Sequence, residues 1–389
     1  MFIYLLIYIP LLLFAYLDFN PKIEFKTKRK VLIAFVVIFT LFWGLRWETG
    51  TDWEQFINVY EKSSWENIFS FKRTSTGEGV MDYGYMFINA VFHEAGMPYT
   101  VFLLATSFVI QLCFFDMSTR FTNYPILTYI LLMNVGVPFP VRQTLSLAIS
   151  RWSIRFVFEK KYLKFVLVAL VATLIHKGSA IIFPVVFLPW VCKRYNFQWY
   201  QFAFAYLSTY VISALLEEYI RAFILWSTSG FETALYYAES YLDRQSLGAA
   251  EAARIKAGWT GTSLFNGVSY TFFFALLLYI REKYRGKCHY YVQMFNVMFL
   301  LYAFVAVMDN VVRMVDSSGL TEILGRVTET VDTFPFVFPL IFVIFLRKFT
   351  LSKYLPYFIF VVYMAYKFWL QIPGSIYDYL FIPYNSIFN

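Results

Sequence analysis

The feature that most constrains this chain is its division into apolar blocks of about 18–22 residues, separated by short runs of charge. A block of that length spans the hydrocarbon core of a bilayer as one helix. Only 15% of its residues are charged, whereas a soluble domain needs roughly a quarter to cover its surface. With 59% hydrophobic residues the apolar excess has to face lipid. The expected fold is therefore an all-α polytopic integral membrane protein. The formal net charge of +8 does not point to nucleic acid, because the Lys and Arg residues fall in short loops, where they orient spans. Cys113, Cys192 and Cys288 are far apart and form no CxxC pair, so neither a metal site nor a disulfide framework is implied. The stretch 1–17 has no basic residues before it and reads as a first span rather than a cleaved signal.

About ten full spans are expected, near 1–17, 31–47, 98–117, 124–140, 142–158, 198–216, 264–280, 289–308, 328–346 and 354–372. The basic clusters lie at 22–30, Arg120, 160–164, 193–194, 281–287 and 347–353. All of them fall on the cytoplasmic side if 162–191 enters the membrane and returns, as the positive-inside rule requires. That segment reads as a two-helix hairpin: 162–175, a polar apex His176-Lys177-Gly178-Ser179, then 180–191. Each arm is roughly 20 Å long at 1.5 Å per residue, short for a 30 Å core. Both termini are then extracytoplasmic, as are two long and partly structured loops, 48–97 and 217–263. No internal repeat or soluble second domain is visible, so 1–389 reads as a single transmembrane domain.

Ionisable groups at membrane depth are costly and are functional candidates by default. The threading brings four to one outer surface: Arg46 at the end of the second span, Arg142 with Gln143 after Pro138-Phe139-Pro140, His176-Lys177 at the apex, and Arg326 before a later span. Arg46 also has the plain reading of a snorkelling interfacial arginine, and Asp52 that of a helix cap. Arg151 and Arg155 lie deeper and towards the cytoplasm, where pairing or snorkelling explains them. No matching polar set is expected on the inner side. Several arginines facing a lipid-accessible outer cavity suit a lipid pyrophosphate, because the guanidinium fork binds oxyanions bidentately and stays charged. A carboxylate or a neutral imidazole there can deprotonate an attacking hydroxyl. P-loop, Rossmann and HExxH patterns are absent, so ATP, NAD and zinc-protease readings have no support.

At these same residues the sequence resembles the EpsG family of exopolysaccharide polymerases, relatives of the Wzy-type O-antigen polymerases. The stretches that carry the resemblance are Gly44-Leu45-Arg46 with Gly50-Thr51-Asp52-Trp53, and Asp82-Tyr83-Gly84-Tyr85 with Ile88-Asn89. Arg142-Gln143, His176 to Ala180, Arg326 and the tail Ile382-Pro383-Tyr384 continue it in order. The family's Glu-Pro-Gly-Tyr is here Asp82-Tyr83-Gly84-Tyr85, with the acid kept in type and the proline lost. Arg151 stands where a smaller or apolar residue is usual.

The resemblance implies a GT-C-like glycosyltransferase in the bacterial inner membrane that needs no cofactor. It would join oligosaccharide repeats carried on undecaprenyl pyrophosphate, with a chain-length regulator as a further partner. Arg142, Arg326 and Arg46 would hold the pyrophosphate with Gln143 and Lys177 beside them, and Asp52, Asp82 or His176 would be the base. Three rivals stand beside it: a glycosyltransferase using a polyprenyl-phosphate sugar, a transporter or flippase for lipid-linked sugars, and a membrane O-acyltransferase.

Overall fold

A computed structural model describes residues 2–50, 53–69, 81–133, 141–195, 197–228, 271–272, 274–279, 282, 289–314, 328, 330–333, 335–339, 354–371 and 384–388. Among them all regular structure is helical, and the one extended pairing is an isolated antiparallel bridge between Arg46 and Ser386. The helices are α1 (Phe2–Phe14), α2 (Tyr16–Phe19), α3 (Phe25–Gly44), α4 (Trp53–Glu61), α5 (Tyr83–Glu94), α6 (Tyr99–Phe121) and α7 (Pro125–Met133). They continue with α8 (Val141–Phe158), α9 (Tyr162–Ile175), α10 (Leu188–Arg194), α11 (Trp199–Thr228), α12 (His289–Met314) and α13 (Leu355–Gln371). About half of each of the expected spans 264–280 and 328–346 falls outside the described residues.

Two stretches, Phe2–Phe19 and Tyr99–Phe121, are long and apolar enough to cross a membrane by length and composition. The shorter α9 is apolar on both faces: Leu163, Leu167, Leu170 and Leu174 are exposed, while Phe165, Ala169, Ala172 and Ile175 are buried. A helix that is apolar all round belongs in lipid or deep in a core.

The chain forms two compact units. The first, residues 1–186 with 334–389, holds α1–α9 and α13. Its helices approach closely through small residues, the usual packing device where hydrocarbon surrounds the bundle. A side chain at Gly44 would meet the Leu104 backbone at 2.7 Å, so α3 and α6 touch there only because the residue is glycine. On α8, Ser146 donates to the Ala172 carbonyl of α9 at 2.7 Å, and Ala148, Ser150 and Ser153 are buried. The second unit, residues 187–333, includes α10, α11 and α12. There Asn310 donates its amide to Thr209 at 2.5 Å, and Tyr206 stacks on Phe274 at 4.7 Å.

Three expectations change in the first unit. Lys28, read as a loop cation, is instead buried and ion-paired to the fully buried Asp18 at 3.3 Å. The other Asp18 oxygen accepts the Leu127 N–H at 2.8 Å, at the start of α7. The end of α6 and α8 away from Arg142 also carries its own polar set, contrary to the expectation of none: Asp116 accepts from Arg120, Trp152 and Arg155. The pairing foreseen for Arg155 is thus met by Asp116. Third, the second arm of the hairpin is not one α-helix. A 3₁₀ run spans Lys177–Phe187, and only Leu188–Arg194 is α-helical. Pro184 and Pro189 lack the N–H that a continuous α-helical ladder needs.

Breaking the Asp18–Lys28 pair leaves a buried charge without its partner. Asp18→Ala is expected to lower stability by about 3–5 kcal/mol, and a double replacement, Asp18→Asn with Lys28→Met, to recover most of it. Thermal melts of the purified protein check this. Equal melting of the single variant and the wild type would mean that the pair contributes little.

Candidate active site

The site is assembled by three element ends that meet in space. Asp82 occupies the N-cap of α5, where a carboxylate ordinarily accepts N–H groups of the first helical turn. It makes no such cap bond here. Its Oδ2 instead takes the Arg142 Nη1 at 3.0 Å and faces the His176 Nδ1 at 3.4 Å. Arg142 opens the first turn of α8 and His176 follows the last turn of α9. All three are largely buried, with 7%, 10% and 15% of their side chains exposed.

Each position has a local cause. The α9 ladder stops at Ile175; His176 adopts an extended backbone (φ −153°, ψ 117°), which turns its ring off the helix face. The apex is then pinned, because the hydroxyls of Ser146 and Ser179 meet at 2.5 Å. Gly178 leaves room for the imidazole, since a Cβ there would lie 3.1 Å from His176 Nε2. Gly84 brings Asp82 within reach: a Cβ would meet the Leu174 backbone at 2.7 Å, so α5 can dock on the last turn of α9 only with glycine. The Met81 sulfur accepts a further contact at 3.0 Å from the same Arg142 Nη1 that meets Asp82.

Arg46 stands beside this group. It is buried, lies over the Trp53 ring at 5.8 Å, and is ringed at electrostatic range by Tyr4, Tyr85, Tyr99 and Tyr384. Tyr85 feels both Arg46 and Arg142 and so links the two cations. The plain reading of Arg46 as an exposed interfacial arginine therefore fails. Its segment is held by the chain's tail: Trp47 N–H donates to the Asn385 carbonyl at 3.0 Å and Ile387 N–H to the Leu45 carbonyl at 3.1 Å. Tyr384 donates to the Phe42 carbonyl at 2.5 Å and stacks on the Phe42 ring at 4.7 Å. Burial pushes its phenol up to about 12, so it remains a neutral donor. Gly50, at φ +103°, supplies the left-handed turn that leads towards α4.

Of the residues expected to act together, Asp82, Arg142 and His176 are in direct contact, with Arg46 alongside. Gln143 is half-buried on the next position of α8, and Lys177 is exposed at the start of the 3₁₀ run. Asp52 and Arg326 lie outside the described residues. Sequence reasoning gave no role to Met81, Tyr99 or Ser146, which carry no signal along the chain, nor to Tyr85 and Ser179, which it met only within the stretches that carry the resemblance. His93 binds the Ser63 carbonyl at 2.7 Å, which ties α5 to the turn after α4.

An Asp–His pair braced by a buried arginine, with a second buried arginine beside it, gives an acid–base group next to an anion-suited surface. It sits in a chain rich in apolar helices, with two stretches long and apolar enough to cross a membrane. The chain belongs to the EpsG family, whose model matches residues 29–386, nearly its whole length. That is a family of exopolysaccharide-polymerase-type membrane proteins, associated with polysaccharide polymerase and glycosyltransferase activity. No curated protein and no solved structure matches the chain.

The close contact at Gly84 gives a direct expectation. Gly84→Ala drives a methyl into the Leu174 backbone and moves Asp82 off His176 and Arg142 by about the ångström that separates working from failing sites. Polymer yield is expected to fall on the order of 100-fold, with the protein still present in membranes, as read from polymer gels beside an immunoblot. Unchanged yield would mean that the α5–α9 approach does not set the site.

Proposed function

We propose that this protein is a membrane glycosyltransferase that polymerises oligosaccharide repeats carried on undecaprenyl pyrophosphate, at the extracytoplasmic face of the bacterial inner membrane. The chain crosses the bilayer about ten times with both termini outside, in a GT-C-like arrangement. What supports the reading is one observation above the rest: Asp82, Arg142 and His176, 34 to 94 residues apart, meet in one buried constellation.

Asp82 accepts the His176 Nδ1–H, so Nε2 is left as the basic nitrogen, beside the bare Gly178. His176 Nε2 takes the proton from an acceptor hydroxyl as that oxygen attacks the anomeric carbon of the donor. The bond from that carbon to the lipid pyrophosphate breaks, and both electrons leave with the phosphate oxygen. Arg142 and Arg46 stabilise the charge that develops on the departing group, the electrostatic term that usually contributes most. Asp82 is less suited to be the base itself, because its Oδ2 already serves both Arg142 and His176. The family resemblance assigns Arg326, Gln143 and Lys177 to the same pyrophosphate.

A strain lacking this protein tests the reading. Export precedes polymerisation, so single repeats are expected on the outer lipid carrier or on their final acceptor, with long chains absent. Trapping of intact repeats in the inner leaflet would instead mark a flippase and end the proposal.

A further inference from the structure

A second site lies at the other end of the same helices. Between α6, α8 and α9 runs an open groove of about 580 Å³. Its walls are apolar, formed by Val109, Leu112, Phe115, Ile149, Leu167 and Val171. Its end is not, being closed by Asp116, Trp152 and Arg155. Asp116 accepts the Trp152 indole N–H at 2.9 Å and two N–H groups of Arg120. It is also paired with Arg155. Glu159 pairs with Lys161 at 2.6 Å and Arg155 at 3.7 Å. The Lys161 ammonium keeps the Glu159 carboxyl below the usual carboxylate range, so it stays charged. From α3, Arg29 lies over the ring of the wall residue Phe115 at 5.6 Å.

Three cations, Arg120, Arg155 and Lys161, therefore stand around two carboxylates that are already fully engaged, and a fourth, Arg29, stands over the groove wall. The surplus at the groove's end is positive, and Arg29, Arg120 and Lys161 are exposed. An apolar ligand alone would set hydrocarbon against these charges, and a small anion alone would leave the apolar walls bare. A molecule that satisfies both carries a hydrocarbon chain and an anionic head at one end.

We propose that this groove binds an anionic glycerophospholipid, one acyl chain between α6 and α9 and the phosphate head against Arg29, Arg120 and Arg155. Basic pockets between helices at a membrane surface recognise lipid heads in this way. The site is separate from the one at Asp82. Arg155 and Arg142 sit 13 positions apart on α8, roughly 20 Å at the helical rise. The inference does not depend on the polymerase reading.

The test uses the purified full-length protein in detergent, titrated with dioleoyl phosphatidylglycerol or dioleoyl phosphatidylcholine and read by native mass spectrometry and thermal melts. Phosphatidylglycerol is expected to be retained about tenfold more tightly, the effect of one to two surface cations at about 1 kcal/mol each. Leu112→Trp with Val171→Trp fills the groove and should remove retention of both lipids. Arg29→Gln with Arg120→Gln removes two exposed cations, Arg120 together with its pairing to Asp116; measured as the lipid-induced shift over the variant's own lipid-free melt, phosphatidylglycerol should fall to the phosphatidylcholine level. Equal retention of the two lipids by the wild type would overturn the proposal. So would a preference that survives the Arg29 and Arg120 replacements, or stabilisation by glycerol 3-phosphate equal to that by phosphatidylglycerol.

Discussion

Replacing His176 with Ala is expected to cut polymer synthesis roughly 100- to 10,000-fold, the contribution of a positioned general base, while the protein still inserts and accumulates. Asp82→Asn should act through the same group. It keeps the shape of the acceptor but offers an amide where the carboxylate fixed the imidazole, so Nε2 is no longer reliably the free nitrogen. Residues that act as one unit are strongly non-additive. The double variant, His176→Ala with Asp82→Asn, should therefore be scarcely worse than His176→Ala alone. Multiplied losses would show that Asp82 acts independently, for instance on Arg142 only. The measurement is initial rate of chain growth in isolated membranes, normalised to protein.

Arg142 carries the second large effect. Its Nη1 meets Asp82 at 3.0 Å in buried surroundings, so Arg142→Ala takes away the proposed pyrophosphate contact and the ion pair of the Asp82 carboxylate together. A loss of roughly 100- to 1,000-fold in turnover is expected from the missing oxyanion contact alone. Arg142→Lys should not rescue it, because an ammonium cannot hold Asp82 and a phosphate oxygen with the same planar fork. Arg326→Ala is expected to behave alike. Wild-type polymer from the Ala variants of both arginines would remove the pyrophosphate clamp from the mechanism.

The all-helical fold and the outline of the site are legible in the sequence for different reasons. Apolar blocks give helices because backbone groups in lipid must bond within their own segment. Arg142 and His176 stand out because each interrupts an apolar run, at a double-proline break and at a polar apex. What joins them is not legible. Asp82 reaches His176 only because Gly84 lets α5 touch Leu174, and a glycine within an Asp-Tyr-Gly-Tyr stretch reads equally well as a turn. The segment around Arg46 is held by Tyr384, bonded to Phe42, and Asn385, bonded to Thr49, more than 330 positions away, a distance that no local pattern encodes. Lys28 misled for the opposite reason: a lysine in a basic cluster looks like a loop charge, and only the approach of α2, α3 and α7 shows it paired with Asp18. The 3₁₀ run after the apex was signalled by Pro184 and Pro189, whose weight becomes clear only once the ladder they interrupt is seen.

The most direct test of the central claim is synthesis from purified components. The protein is reconstituted in liposomes with undecaprenyl-pyrophosphate-linked repeats, and the products are separated by gel. A ladder rising in steps of one repeat is expected from the wild type, with release of undecaprenyl pyrophosphate in equal number to the bonds formed, and no ladder from His176→Ala or Arg142→Ala. A wild-type protein that makes no ladder, or variants that make the same one, would contradict it.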